Sequence, residues 1–168
     1  KIAQAGIYVG DVHAMMGDGE VAGHTTDVSA EVIVEVNVIK GLTIEGPIIL
    51  PRFEDLPFLA RPYTDEEKDR AVRLAQGYGL PIETDVYPLQ VMGSGTDLNT
   101  ATANGLTRMA TLTGYSLAEV KNRATITGDI QIGRLPGVVQ VTMLTPASVL
   151  KRLRLLDLYH AQYPGRAH

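Results

Sequence analysis

The chain contains no cysteine, and this absence limits its chemistry. Disulfide bonds, a thiolate nucleophile and cysteine-ligated zinc are all excluded, so any metal would be bound by oxygen and imidazole groups. The sequence also shows no apolar run close to the roughly 20 residues that a membrane span requires, and no basic-then-apolar leader. We therefore expect a soluble, cytoplasmic protein that has no membrane partner.

Positive charge is scarce as well. The 15 Lys and Arg residues against 19 Asp and Glu residues give a formal net charge of −4, and no basic stripe is interleaved with aromatic residues. Such a chain attracts a phosphate backbone weakly, so nucleic acid is not an expected partner. The length fits one domain, in which folding would remove roughly two thirds of the unfolded surface from water.

Residues 10–20, GDVHAMMGDGE, concentrate the groups that carry chemistry. Asp11 and His13 are two residues apart, so on an extended strand both side chains point to one face and can bind one cation. Asp18 and Glu20 repeat this spacing after a short glycine-containing bend. The alternative is a Gly/Asp-rich hairpin turn in which a neighbouring carboxylate satisfies His13. A functional cluster is favoured, because a turn needs Asp-Gly but neither the histidine nor the glutamate.

Alternating and proline-rich segments predict the strands. Residues 30–41 alternate valine with polar side chains, which predicts a half-buried strand. The proline-rich residues 46–62 suit an edge strand and an irregular loop, from which Arg52 and Glu54 could reach a site. Further strands are predicted at 129–132 and 138–144.

Capping patterns predict the helices. Thr64 with Glu67 and Ser116 with Glu119 form capping-box patterns, and Asp97 is a natural N-cap. Pro81 and Pro88 flank a short extended piece, the glycines of residues 93–95 predict a flexible turn, and Pro146 opens an amphipathic terminal helix. The order of elements predicts an α+β domain with a β-rich, sandwich- or barrel-like core and two or three helices packed to one side.

Residues 10–23, GDVHAMMGDGEVAG, resemble the GDxHAxxGDGExxG signature of the acetamidase/formamidase family. The segments Pro51–Glu54, Asp97–Asn99 and Thr127–Ile132 follow in the order that this family shows. The resemblance implies hydrolysis of a small aliphatic amide to a carboxylate and ammonia, in a β-rich α+β fold that binds a divalent metal. It further implies a family-like domain over residues 1–149 and a helical C-terminal extension over 150–168.

The resemblance also suggests roles for the clustered residues. Asp11, His13 and Glu20 would hold the divalent metal, for which zinc is the expected identity. Asp18, or Glu20 if it is not a ligand, would carry the proton as catalytic acid and base. Asp129, at a corner between a helix and a strand, is either a turn residue or an acid that the site borrows.

A serine nucleophile is the competing mechanism. Ser29 or Ser94 would have to serve, but neither lies in a GxSxG elbow or has an evident lysine or histidine partner.

The sequence predicts a partner as well. It begins with Lys1 and enters a strand at once, which indicates a fragment. Family members are about twice as long, and their N-terminal half has a His-Gly-Gly-Asn type segment without a counterpart here. We therefore expect a companion N-terminal-half chain, a homo-oligomer or both. The alternative function is a non-catalytic subunit or binding module that retains the fold.

Overall fold

The computed structural model describes residues 29–36, 38–42, 44–51, 61–132 and 137–162. Contacts between Cα atoms divide the chain into two units, Lys1–Val38 and Ile39–His168. The elements below all belong to the second unit.

The strand predicted over residues 30–41 is not present in the described part of that segment. Residues 30–36 and 38–41 form neither helix nor strand. The predicted half-buried face is not seen either, since Val34 is 52% exposed and Val38, which the pattern places on the same face, is 79% exposed. The prediction is wrong because alternation identifies an apolar face but does not provide the neighbouring strand that a hydrogen-bonded ladder requires.

Four antiparallel strands form one sheet in the described residues, in the order β1-β2-β4-β3. They are β1 (Ile48–Ile49), β2 (Val86–Ser94), β3 (Asp129–Ile132) and β4 (Val138–Pro146). The predicted α+β class is confirmed. The sheet is open rather than barrel- or sandwich-like, because its outer strands β1 and β3 are short and do not pair with each other.

Strand β2 corrects two further predictions. It continues through Pro88, which was expected to bound a short extended piece, and it includes Gly93 and Ser94, which were expected to form a flexible turn. Proline is tolerated here because the pairing between β1 and β2 ends at Gln90, so no described residue of β1 needs a donor at position 88.

Five helices complete the described fold. They are α1 (Asp65–Gly77), α2 (Leu98–Thr113), α3 (Leu117–Thr127), α4 (Ala147–Arg152) and α5 (Leu156–Gln162). The first three begin where the capping patterns predict. The single terminal helix expected after Pro146 is instead two short helices, because Arg154 takes a left-handed conformation with φ 59° and helical hydrogen bonding cannot continue through it.

A charged capping box fixes the start of α1. The backbone N–H of Glu67 donates to the Thr64 hydroxyl, and the backbone N–H of Thr64 donates to the Glu67 carboxylate at 2.8 Å. Arg61 also donates two hydrogen bonds to that carboxylate, at 2.8 and 2.9 Å. The hydrogen bond from Arg61 is the largest cause that lowers the pKa of Glu67 to about 2.

Of the other two predicted N-caps, Asp97 forms a capping box and Ser116 does not. The Asp97 carboxylate accepts from the backbone N–H of Thr100 at 2.9 Å, and the Thr100 hydroxyl accepts from the backbone N–H of Asp97 at 3.1 Å. The backbone hydrogen bond from Thr100 lowers the pKa of Asp97. The Ser116 hydroxyl caps Glu119, but the Glu119 carboxylate pairs with Arg123 at 2.9 Å rather than closing a capping box.

Helix α2 packs on β2 where two glycines face each other. A Cβ atom at Gly105 would lie 2.8 Å from Val141 Cγ2 and 3.2 Å from Gly93 Cα. A Cβ atom at Gly93 would lie 2.7 Å from the Gly105 nitrogen. Real Cβ atoms do not approach this closely, so the absence of both side chains sets the distance between helix and sheet.

Residues 153–162, which we call the C-terminal brace, close the core beside these elements. Leu155 and Tyr159 are 2% and 0% exposed and belong to the main hydrophobic cluster. The Tyr159 ring lies 5.3 Å from that of Tyr87 on β2, between centroids, a separation typical of favourable aromatic pairs.

The brace also holds backbone carbonyls of the segment around β1. Arg154 Nη1 donates to the carbonyl of Lys40 at 3.0 Å. Gln162 Nε2 donates to the carbonyls of Leu50 and Pro51, at 3.0 and 2.9 Å. Arg154 thus binds the chain before β1, and the end of α5 binds the chain directly after it.

Candidate functional site

The predicted metal ligands and proton carriers lie outside the described residues: Asp11, His13, Asp18 and Glu20. The same holds for Arg52 and Glu54. Their roles therefore stay predictions. Among the residues that the structure does describe, no three His, Asp or Glu side chains are grouped so that they could hold a metal ion.

Asp129 is the predicted candidate that the structure places. It is the first residue of β3 and lies directly opposite Thr142 on β4, which in turn lies opposite Gln90 on β2. Residues directly opposite each other on paired strands share one face of the sheet. Gln90, Thr142 and Asp129 therefore form a polar row across three strands, with Ile49 on β1 in line with them.

The polar row is on the face opposite to α2. Helix α2 approaches the sheet at Val141, and successive side chains of a strand point to opposite faces. Gln90 and Thr142 are 4% and 0% exposed, and Gln90 Nε2 donates to the Thr142 hydroxyl at 3.1 Å. A buried amide and a buried hydroxyl thus satisfy each other between two central strands.

The burial of this pair decides what it can do. Groups that are 4% and 0% exposed are not accessible to a diffusing molecule, so the role that the geometry supports for Gln90 and Thr142 is to join β2 to β4. Sequence reasoning missed both residues. The available signal was a glutamine and a threonine interrupting the apolar runs LQVM and VTML.

Thr142→Val is expected to lower the free energy of unfolding by about 1–3 kcal/mol, because it leaves the buried Gln90 amide without its acceptor. Urea unfolding of the variant measures this loss. The double variant Thr142→Val with Gln90→Leu should recover part of it, since both polar partners are then replaced. Thr107→Val, at an exposed hydroxyl that donates to its own helix, is the control and should change stability by less than about 0.5 kcal/mol. An equal loss in the single and double variants would contradict the pairing.

The other motifs in this part of the chain have structural roles. Asp97, from the segment Asp97–Asn99, caps α2 with its carboxylate. Ser94, considered as a nucleophile, is the exposed last residue of β2, and its backbone N–H donates to Asn104 Oδ1 at 3.0 Å. The structure thus assigns a helix cap and a strand end to these two motifs.

No helix in the described ranges combines the length and the apolar character needed to cross a membrane.

Comparison with known proteins identifies the chain through its family. The Acetamidase/Formamidase family matches residues 1–152, a range that includes the clustered residues 10–20 and the polar row. No curated protein and no solved structure matches the chain significantly. Because the family match covers most of the 168 residues, this chain belongs to the acetamidase/formamidase family.

Proposed function

We propose that the chain provides a metal-binding site for the hydrolysis of a small aliphatic amide, such as formamide or acetamide, to a carboxylate and ammonia. The observation that carries this proposal is the family match over residues 1–152, which supports amide hydrolysis in general. All four clustered residues, Asp11, His13, Asp18 and Glu20, are inside the matched range.

The donor set of the cluster fits a divalent metal. Asp11 and Glu20 offer carboxylate oxygens and His13 an imidazole nitrogen, a combination found at catalytic zinc sites. The chain has no cysteine, so the softer thiolate ligands that favour copper(I) or iron–sulfur clusters are not available. Zinc is therefore the metal we propose. When bound, it would polarise the amide carbonyl and lower the pKa of a water molecule.

The carboxylate that does not bind the metal would transfer a proton. Amide hydrolysis forms a bond between water oxygen and the carbonyl carbon, breaks the carbon–nitrogen bond and needs a proton on the departing nitrogen. Asp18, or Glu20 if the metal does not engage it, would take the proton from water and pass it to that nitrogen. One acid must therefore remain free of the metal.

We further propose that the site is completed by a companion N-terminal-half chain, by a second copy of this chain or by both. The resemblance to the C-terminal half of longer family members motivates this part of the proposal. Intact-mass analysis of the purified protein identifies any companion chain. Amide turnover that appears only in the mixture supports a companion chain. Full turnover by this chain alone excludes the companion, and full turnover by a monomer of this chain, identified by size-exclusion chromatography, contradicts the second copy as well.

Metal removal tests the proposal directly. The active protein is treated with a chelator, its metal content is measured by mass spectrometry, and ammonia release from formamide and acetamide is followed before and after zinc is restored. Turnover should fall with the metal and return with it. Undiminished turnover by metal-free protein would refute the metal route. Stable folding with neither metal nor turnover under any condition would favour a non-catalytic binding module.

A further inference from the structure

A small cavity of about 100 Å³ lies between α2, β2 and the segment before β1. Its walls are mostly aliphatic, formed by Ile44, Ile48, Val91 and Leu112. Arg108 and Glu45 also line it. Mostly apolar walls with a few charged or polar groups are typical of binding sites for small molecules.

The Arg108 side chain is held in place from two sides. Its Nη1 donates to the carbonyl of Met92 on β2 at 2.8 Å. On the other side, a Cβ atom at Gly46 would lie 2.9 Å from that nitrogen, and Gly46 has φ +80°. Glycine is therefore favoured at position 46 by its backbone conformation, and the absence of a side chain there leaves room for the guanidinium.

Arg108 forms no ion pair within the described residues, although Glu45 lines the same cavity. Its Nε is buried and has no hydrogen-bond acceptor there. The ion pairs of the described part join Arg61 to Glu67 and Arg123 to Glu119, and none includes Arg108. Buried donors are normally paired, and partly buried charges normally have a counter-ion. An anion that enters the cavity would provide one.

We propose that this cavity binds a short-chain monocarboxylate, with the carboxylate at Arg108 and the alkyl group against the aliphatic walls. The volume of about 100 Å³ is smaller than the roughly 150 Å³ of an apolar cavity that binds benzene, so it suits acids of two or three carbons. Glu45 would oppose every carboxylate in the cavity, and a diacid more strongly than a monoacid, so the chemistry selects monoacids over diacids.

Such an acid is what hydrolysis of a linear aliphatic amide releases. The cavity is therefore a binding site for the reaction product, and this identification rests on the proposed function. Binding of the acid itself does not depend on turnover. An experiment can therefore contradict acid binding in the cavity without contradicting amide hydrolysis, and the reverse.

The test is a titration of the full chain with acetate and propionate at constant ionic strength, followed by NMR or calorimetry. Acetone, a neutral molecule of nearly the same shape as acetate that has no amide bond to hydrolyse, is the matched ligand control. Both acids should bind saturably, and acetone at least tenfold more weakly. Arg108→Met should weaken acetate binding at least tenfold, whereas Glu45→Gln should strengthen it severalfold by removing the repelling carboxylate. Arg73→Met removes one exposed positive charge elsewhere, on α1, and should leave binding unchanged.

Three results would overturn the proposal: equal binding of acetate and acetone, an unchanged acetate affinity in Arg108→Met, or an unchanged acetate affinity in Glu45→Gln. If Arg108→Met does not fold, the comparison with acetone and Glu45→Gln still decide the question. Acetate binding by a protein without amide turnover would support the cavity and count against the proposed function. Amide turnover by a protein that does not bind acetate would support the proposed function and count against the cavity as an acid-binding site.

Discussion

His13→Ala is expected to remove the bound metal and to reduce amide turnover by about a thousandfold. His13 provides the imidazole of the proposed donor set, and two carboxylates alone bind zinc less well than a set with nitrogen. A metal contributes several kcal/mol to stabilising the charge that develops on the amide oxygen, and each 1.36 kcal/mol corresponds to a factor of ten in rate. Metal content and ammonia release, measured on the same preparation, check both parts.

Substitutions of the neighbouring acids Asp18 and Glu20 serve as comparisons for His13→Ala. If Asp18 carries the proton, Asp18→Asn should keep the metal and lose about 10²–10⁴-fold in turnover, because it removes proton transfer without removing a ligand. Glu20→Gln should lose metal if Glu20 is a ligand, and should behave like Asp18→Asn if it carries the proton. His24→Ala makes the same substitution at a histidine outside the ligand spacing and should retain both metal and turnover. Full metal content in His13→Ala would exclude it as a ligand.

Gly93→Ala is expected to lower the free energy of unfolding by about 3 kcal/mol or more, the upper range for overpacking a core. The new Cβ would lie 2.7 Å from the Gly105 nitrogen and 2.8 Å from its Cα. Both atoms are backbone, so no side chain can rotate away. Relief requires α2 to move off β2, and this would loosen the packing on one face of the sheet.

Urea unfolding measures this loss, and another glycine offers the control. A Cβ atom at Gly77, the last residue of α1, would meet no atom within 4 Å. Gly77→Ala should therefore be neutral or stabilising by up to about 1 kcal/mol, since alanine restricts the unfolded chain. Equal stability of Gly93→Ala and Gly77→Ala would show that the helix and the sheet can separate without cost.

The elements that sequence predicted well depend on local chemistry. Thr64, Asp97 and Ser116 each accept a hydrogen bond from a backbone N–H three residues later. A helix start is therefore encoded within four residues and can be read without knowledge of the rest of the fold.

The elements that sequence predicted poorly depend on distant partners. Alternation over residues 30–41 identifies an apolar face but not a neighbouring strand. The buried bond between Gln90 and Thr142 joins residues 52 positions apart, and only the register of β2 with β4 brings them together. The two-helix end of the chain depends on the left-handed backbone of Arg154, a conformation that arginine rarely adopts and no local pattern signals.

The candidate sites also differ in how far the sequence predicts them. The cluster of acids and histidine at residues 10–20 is recognisable because it contains a histidine and a glutamate that a Gly/Asp turn does not require. Arg108 was not singled out, because an arginine in a helix usually has a solvated guanidinium. Only the fold places Gly46, Met92 and the aliphatic walls around it.

The C-terminal brace has a practical consequence for anyone who shortens this protein. The family match ends at residue 152, whereas Leu155 and Tyr159 are part of the hydrophobic cluster. A recombinant fragment trimmed to the matched range would keep every signature residue, yet it would expose the part of the hydrophobic core against which Tyr159 packs. Low solubility of such a fragment would then reflect a missing piece of the core, and would say nothing about whether the signature residues can bind metal.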